Sequence, residues 1–222
     1  MNDASITDSD ILACLRDGER LEGRGYQGSI HTGCAAGHKI LVKSAAGNGI
    51  TAWLNRWMLR REYDMYRRLE GISGIPHCYG FFLDRHLVLE HVDAQTMRQT
   101  TITDRDAFFA EMLTVVEAIH ERGVAHGDLK RKDNILVTHD SRPCLIDFGV
   151  SVYRKPGFHP FNHFRHRFSH QHDFNAWLKH KYNRDFKSMS PEDARYFRPL
   201  WIERISRRIK RTWKSLVRSV GR

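Results

Sequence analysis

The chain has 222 residues, 41% hydrophobic and 11% aromatic, which is enough to bury one substantial core. Its formal net charge is +10, no apolar run approaches the roughly 18 residues of a bilayer span, and Asn2, Asp3, Asp8 and Asp10 are polar or acidic, so neither a membrane helix nor a secretory leader is expected. Cys14, Cys34, Cys78 and Cys144 are scattered without a C-x-x-C pair, which points to reduced core thiols rather than disulfides or zinc ligands.

In chain order, a short helix is expected over 8–16, with Thr7 and Asp10 as a capping box and Gly18 as its stop. Residues 23–30 read G-x-G-x-x-G-x-I, and the missing Cβ atoms at Gly23, Gly25 and Gly28 let backbone N–H groups approach phosphates closely. By itself such a window is also found in ordinary turns. Ile40, Leu41 and Val42 form an apolar strand closed by Lys43. A helix follows over 50–69, with Trp53, Leu54, Trp57, Met58, Arg61, Tyr66 and Leu69 near helical spacing and Glu62 inside it. Glu62 either pairs with Lys43 or is an exposed partner of Arg61 or Arg67.

Gly71 to Pro76 break the helix, and residues 78–82 and 87–90 read as two more strands of a small β lobe. The stretch 90–94 is then a connection between lobes. A second long helix is expected over 105–122, opening after Thr103-Asp104, ending at Gly123 and carrying Phe108, Met112, Val115, Val116 and Ile119 on one face. Residues 135–137 and 144–146 look like two short buried strands joined by 138–143, a hairpin beneath a cleft.

That hairpin is flanked by His126-Gly127-Asp128-Leu129-Lys130, by Asn134, and by Asp147-Phe148-Gly149. Two carboxylates, an amide oxygen and a cation are the set that phosphoryl transfer uses. Here the chain resembles the protein-kinase-like superfamily, whose catalytic loop is H-R-D-L-x-x-x-N and whose metal-binding turn is D-F-G. The resemblance implies Asp128 as the group that orients the nucleophile, Lys130 as a charge stabiliser, and Asn134 with Asp147 as magnesium ligands. It implies Lys43 on the ATP phosphates, paired with Glu62, under a cover formed by Gly23, Gly25 and Gly28. Glu90 and Val92 fall where hinge backbone would hold adenine, with Leu89 bordering the pocket. One departure stands out: the family pattern puts its Asn at position 133, which here is Asp. Either the loop carries an extra residue or Asp133 takes the metal role; Asn134 is favoured because it leads directly into the strand.

After Gly149 the likeness to ordinary protein kinases fades, and the remainder is too short for a full helical lobe. Asp173 to Lys179 looks like the helix whose Asp anchors the catalytic loop in compact bacterial relatives; Asp173 as a helix N-cap is the rival reading. His159, His163, His166, His170 and His172 alternate with Phe161, Phe164 and Phe168, which suggests a mobile segment near the substrate mouth ahead of a zinc site. Ser190-Pro191-Glu192 reads as a helix start. From Arg195 to Arg222, ten Lys and Arg face one Glu, with Trp201, Ile202, Ile205, Ile209 and Trp213 at helical spacing: a basic amphipathic helix that lies on anionic lipid or packs on the small lobe, nucleic acid being the weaker third reading.

The expectation is therefore an α+β, two-lobed protein-kinase-like fold: a small antiparallel β lobe with one helix plus a shortened, mainly helical C-lobe. Its parts are a capping helix (1–19), a nucleotide-binding lobe (20–93), a catalytic lobe (94–194) and the basic helix (195–222). The activity is transfer from ATP, with magnesium, to a hydroxyl. The shortened pattern resembles lipopolysaccharide-kinase and RIO-type branches, so the implied acceptor is a lipopolysaccharide inner-core sugar; the alternatives are a Ser/Thr protein kinase, or a nucleotide-binding pseudokinase that docks partners through its tail. Location in the cytoplasm, with peripheral contact at the inner membrane, goes with this reading.

Overall fold

The computed structural model describes residues 6–21 and 28–199. Gly23 and Gly25, and residues 200–222 of the expected basic helix, lie outside the described residues. The first element is helix α1 (Asp8–Asp17), where Thr7 and Asp10 form the expected capping box and Gly18 closes the end. A five-stranded antiparallel sheet follows, built from β1 (Glu19–Leu21), β2 (Gly28–Ala35), β3 (His38–Ala45), β4 (Cys78–Phe82) and β5 (His86–Glu90) in the order β1-β2-β3-β5-β4. Helix α2 (Gly49–Arg68) lies between β3 and β4 in the chain.

The two-residue alternation of a strand decides what the sheet presents on each face. Ile40 and Val42 of β3, with Val88 of β5, pack under Ile11 and Cys14 of α1. Leu87 and Leu89 point the other way, into the main core with Leu59, Met65 and Tyr66 of α2. Lys43 therefore falls on the face opposite Val42. The strand runs two residues past Lys43 rather than ending there.

The apolar positions expected on α2 do not all face the core. Tyr66 and Leu69 are buried, but Ile50, Trp53, Leu54, Trp57 and Met58 are exposed, because all four buried residues of the helix lie from Leu59 onward.

The second half of the molecule is mainly helical. Strand β6 (Ala94–Thr96) pairs with β8 (Ile135–Thr138), which pairs with β9 (Pro143–Leu145); β7 (Val124–Ala125) pairs with β10 (Val152–Tyr153). The β8–β9 hairpin is the expected one, in the register Ile135 opposite Leu145. Helix α3 (Arg105–Glu121) is capped by Asp104, whose side chain accepts from the Ala107 N–H, and buries Phe108, Met112, Val115, Val116 and Ile119 as its spacing implied. Helix α4 (Pro160–Lys181) crosses behind, with Trp177 fully buried and its indole N–H donating to the Phe109 carbonyl at 2.7 Å. The short helix α5 (Pro191–Ala194) starts as read, Ser190 accepting from the Asp193 N–H.

Three expectations need correction. The His-rich stretch is no mobile segment: it is the first half of α4, and His166 is buried in it. Asp173 sits mid-helix, so it is not an N-cap. Residues 195–199 follow α5 without helix, so the basic segment is not helical from Arg195. Of the cysteines, Cys14, Cys78 and Cys144 are buried free thiols, while Cys34 is exposed. Burial pushes the thiols of Cys78 and Cys144 up to about 11 and about 12, which keeps both protonated and inert.

Candidate active site

The cation comes first, because β3 carries it into the interior. Lys43 Nζ meets Glu62 Oε1 at 2.6 Å, and Glu62 is only 3% exposed. This settles the choice between the buried and the surface pair for Glu62. Burial works against the charge on Lys43, but the carboxylates of Glu62 and Asp147 outweigh it and hold the ammonium above the ordinary lysine range. A Cβ on Gly149 would lie 3.4 Å from Asp147 Oδ1 and 3.8 Å from Glu62 Oε2. Lys43, Glu62 and Asp147 thus form one group.

Asp147 holds a left-handed backbone, φ +68°, which for a non-glycine residue costs about 1–3 kcal/mol and persists only when its surroundings impose it. Those surroundings are visible. The Asp147 N–H donates to the Tyr66 hydroxyl oxygen at 3.2 Å, and the Phe148 ring lies between Tyr66 (centroids 5.1 Å apart, edge-on) and His126 (4.7 Å). Tyr66 is one helical turn after Glu62, on the same inward face of α2. One helix therefore positions both the Lys43 partner and the Asp147 turn.

The catalytic loop is stitched to the same turn. His126 Nε2 donates to the Ile146 carbonyl at 3.0 Å, its Nδ1 accepts from the Asp128 N–H at 3.3 Å, and the Ile146 N–H donates to the Asn134 carbonyl at 3.0 Å. Those bonds require the neutral Nε2–H tautomer of His126. They tie Asp128 and Asn134 to Asp147 across the β8–β9 hairpin. Asp128 faces two neighbours: the Asn134 amide donates to its Oδ2 and to its carbonyl oxygen, both at 3.2 Å, and Arg131 Nη1 lies 3.8 Å from Oδ2.

The extra loop residue is absorbed by a 3-10 turn, Lys132–Asn134, in which the Asn134 N–H reaches the Arg131 carbonyl. Asn134 is buried beside Asp128. Asp133 points elsewhere, its carboxylate taken by Arg98 Nε and Nη2 at 2.6 and 2.8 Å. With its amide nitrogen committed to Asp128, Asn134 keeps its side-chain oxygen as a donor, and with Asp147 it would offer the oxygen ligands that a hard divalent cation such as Mg²⁺ takes. Lys130 is half-buried two residues beyond Asp128. Glu90 ends β5 and Val92 follows in the connection to β6. Gly28 opens β2, directly after the undescribed 22–27 stretch.

Helix α4 holds this loop from below. Asp173, fully buried, accepts from the His126 N–H at 2.7 Å and the Gly127 N–H at 2.8 Å; His180 Nε2 donates to the Leu129 carbonyl at 2.9 Å, and Lys179 Nζ to the Lys130 carbonyl at 3.1 Å. Four loop residues, two just before Asp128 and two just after it, are fixed by one rigid element. The anchoring role expected of Asp173 is present. Those of Lys179, His180, Tyr66 and Arg131 were not foreseen, although Tyr66 was legible from its spacing to Glu62. Behind Asp173, His120 Nε2 lies 3.1 Å from Oδ2 and the His120 and His170 rings stack at 3.8 Å. Among the described residues no group of His, Cys, Asp and Glu has the arrangement of a metal centre, so the zinc reading of this segment has no support there.

Comparison with known proteins agrees with this geometry. The protein kinase domain family matches residues 17–169. Among curated relatives, calcium-dependent protein kinase 17 of Arabidopsis thaliana is 29% identical over 164 residues, covering 67% of this chain and 30% of its own length. Calcium-dependent protein kinase 1 of Oryza sativa subsp. japonica is 30% identical, covering 68% of this chain and 32% of its own length. Serine/threonine-protein kinase C of Synechocystis sp. is 31% identical over 111 residues, 46% of this chain and 21% of the relative. The chain thus spans about a third or less of these relatives. A buried lysine–glutamate pair, a strained Asp-Phe-Gly turn and a His-Gly-Asp loop pinned from below, together with a family match over most of the chain, have one common meaning: this chain belongs to the protein kinase domain family.

Proposed function

We propose that the chain transfers the γ-phosphoryl group of ATP to a serine or threonine hydroxyl of a protein substrate. The observation that carries the chemistry is the preassembled set: Lys43 on Glu62 at 2.6 Å, and Asp128 held by Asn134 in a loop bonded to the Asp147 turn. The relatives named as protein kinases and as a serine/threonine-protein kinase support the acceptor class.

In this reading the acceptor oxygen forms a bond to the γ phosphorus as the bond to the β–γ bridging oxygen breaks, ADP leaves, and Asp128 takes the hydroxyl proton. Asn134 orients the Asp128 carboxylate through its amide, and Lys43 balances charge on the α and β phosphates. Lys130 neutralises charge on the transferred group. Glu90 and Val92 hold adenine through the backbone, and Gly23, Gly25 and Gly28 cover the phosphates. Asn134 and Asp147 would hold Mg²⁺, which when bound would neutralise phosphate charge. The Arg that normally reads a phosphorylated loop is replaced by Gly127, and the Lys43–Glu62 pair is already closed; both features suit a site that needs no phosphorylation to assemble.

A second reading keeps the chemistry and changes the acceptor to a lipopolysaccharide inner-core sugar, with the basic tail near the membrane. Its specific support is the brevity of the stretch from Val150 to His159, all that separates Gly149 from α4, which leaves little chain on which a peptide could lie. One experiment addresses both: γ-labelled ATP with Mg²⁺, wild type and Asp128→Ala, offered a mixed protein substrate or core oligosaccharide. Label in protein, lost with Asp128→Ala, supports the proposal. Label confined to the saccharide transfers the case to the second reading, and equal label for both enzymes leaves only a nucleotide-binding pseudokinase.

A further inference from the structure

The first half of α2 is an unusual projection. From Gly49 to Met58 no residue is buried, and Ile50, Trp53, Leu54, Trp57 and Met58, at 83, 60, 43, 48 and 44% exposure, form one stripe at i, i+3, i+4, i+7 and i+8. Leaving such a stripe in water is costly, and a contiguous apolar patch of this kind marks a contact surface. Glu62 and Tyr66 lie further along the same helix, in the part buried from Leu59 on, so the stripe is set apart from them along the helix axis rather than by facing the other way, Met58 standing one turn before Glu62.

Charge narrows the occupant. Between Gly23 and Arg61 the sequence contains no Asp or Glu, while Arg56 and Arg60 are exposed beside the stripe and the Arg61 guanidinium lies 5.1 Å from the Trp57 ring centroid. The chain's own segment beyond residue 199 is a poor partner, because it too is strongly basic. A second copy meeting the stripe symmetrically would set Arg56 and Arg60 against themselves. What fits is an anionic surface that accepts a convex helix without a matching groove. Two tryptophans, whose rings combine apolar area with one N–H, are the residues that settle at a lipid headgroup boundary.

We infer that the exposed first half of α2, centred on Trp53 and Trp57 and flanked by Arg56 and Arg60, docks on an anionic lipid bilayer. The helix then lies in the headgroup plane with the stripe inserted and the guanidiniums against lipid phosphates. This inference is independent of the acceptor: it concerns where the enzyme works, not what it phosphorylates.

The test is sedimentation of the full chain with vesicles of phosphatidylcholine alone or mixed with phosphatidylglycerol. Wild type is expected to pellet with the mixed vesicles and to be released by salt. Trp53→Ser/Trp57→Ser should lower partitioning by about tenfold or more, since two large apolar groups no longer enter the interface. Arg56→Glu/Arg60→Glu should abolish the preference for phosphatidylglycerol. All four positions are exposed, so the circular dichroism spectrum should not change; Arg60 lies over the Tyr63 and Phe81 rings and Trp57 under Arg61, so the melting temperature should fall by no more than a few degrees. The inference is overturned if wild type fails to pellet, if the tryptophan double variant pellets like wild type, which would assign binding to the basic tail, or if wild type is a dimer that the same variant converts to monomer, which would assign the stripe to a second copy.

Discussion

Replacing Asp173 by asparagine changes one oxygen to an amide nitrogen at a fully buried site, and the consequences can be worked through bond by bond. The carboxylate accepts from two backbone N–H groups, His126 at 2.7 Å and Gly127 at 2.8 Å, and from His120 at 3.1 Å. Asparagine keeps one acceptor oxygen. Whichever backbone amide it serves, the other confronts an NH₂ group; His120 can exchange tautomer, but a backbone amide cannot. The variant therefore loses a charge-assisted hydrogen bond and strands a buried donor, together about 3–5 kcal/mol. Against a typical total of about 5–15 kcal/mol, that is a large fraction of the stability. It should lower the urea midpoint clearly and the melting temperature by about 10 °C. The freed loop carries Asp128, so phosphotransfer should fall about a hundredfold where a 1 Å misplacement is tolerated so poorly. ATP affinity, which under the proposed function rests on Lys43 and Glu62 elsewhere in the fold, should stay within about threefold. The assays are urea denaturation followed by tryptophan fluorescence, and single-turnover transfer from γ-labelled ATP below the variant's melting point. A variant within about 0.5 kcal/mol of wild type and equally fast would refute the claim that α4 positions the catalytic loop.

Asn134→Ala should raise the Mg²⁺ concentration needed for half-maximal transfer at least tenfold, whereas Asp133→Ala should leave it unchanged; a magnesium titration of both variants decides which residue took the family's asparagine role. Burial, then His120 and His166, pushes His170 down to about 4, and burial pushes His180 to about 4, against an ordinary 6.5. Both are neutral in the fold, so the unfolded chain binds more protons between these values, and stability should fall as pH drops through 6.5 and level off below about 4. For the buried His180 this amounts to about 2–3 kcal/mol, and His180→Gln should flatten part of the denaturation midpoint's pH profile. Gly74→Ala places a Cβ 2.7 Å from Val115 Cγ2 and 3.0 Å from the Pro143 carbonyl at φ +85°, and should cost about 2 kcal/mol or more by denaturant titration, with the catalytic rate constant unchanged at low temperature.

Much of this protein was legible without coordinates. Caps and periodicities announced α1, α3, the β8–β9 hairpin and the strand bearing Lys43, because local backbone preferences and burial patterns repeat every few residues. The gathering of the candidate site was legible too: Lys43, Glu62, Asp128, Asn134 and Asp147 were singled out by their order along the chain, and the fold brings them together. Two things depended on contacts between distant parts of the chain. Periodicity identifies an apolar stripe but not its neighbour, so it could not say that the stripe of α2 from Ile50 to Met58 projects beyond the sheet into solvent. Nor does a run of histidines reveal whether it is loose or helical; that was decided by Asp173, Lys179 and His180 reaching the backbone of residues 126–130, some fifty positions away, and holding α4 beneath them. Sequence order marked out the candidate groups, and long-range packing of α2 and α4 decided where those groups are held and which surface is left uncovered.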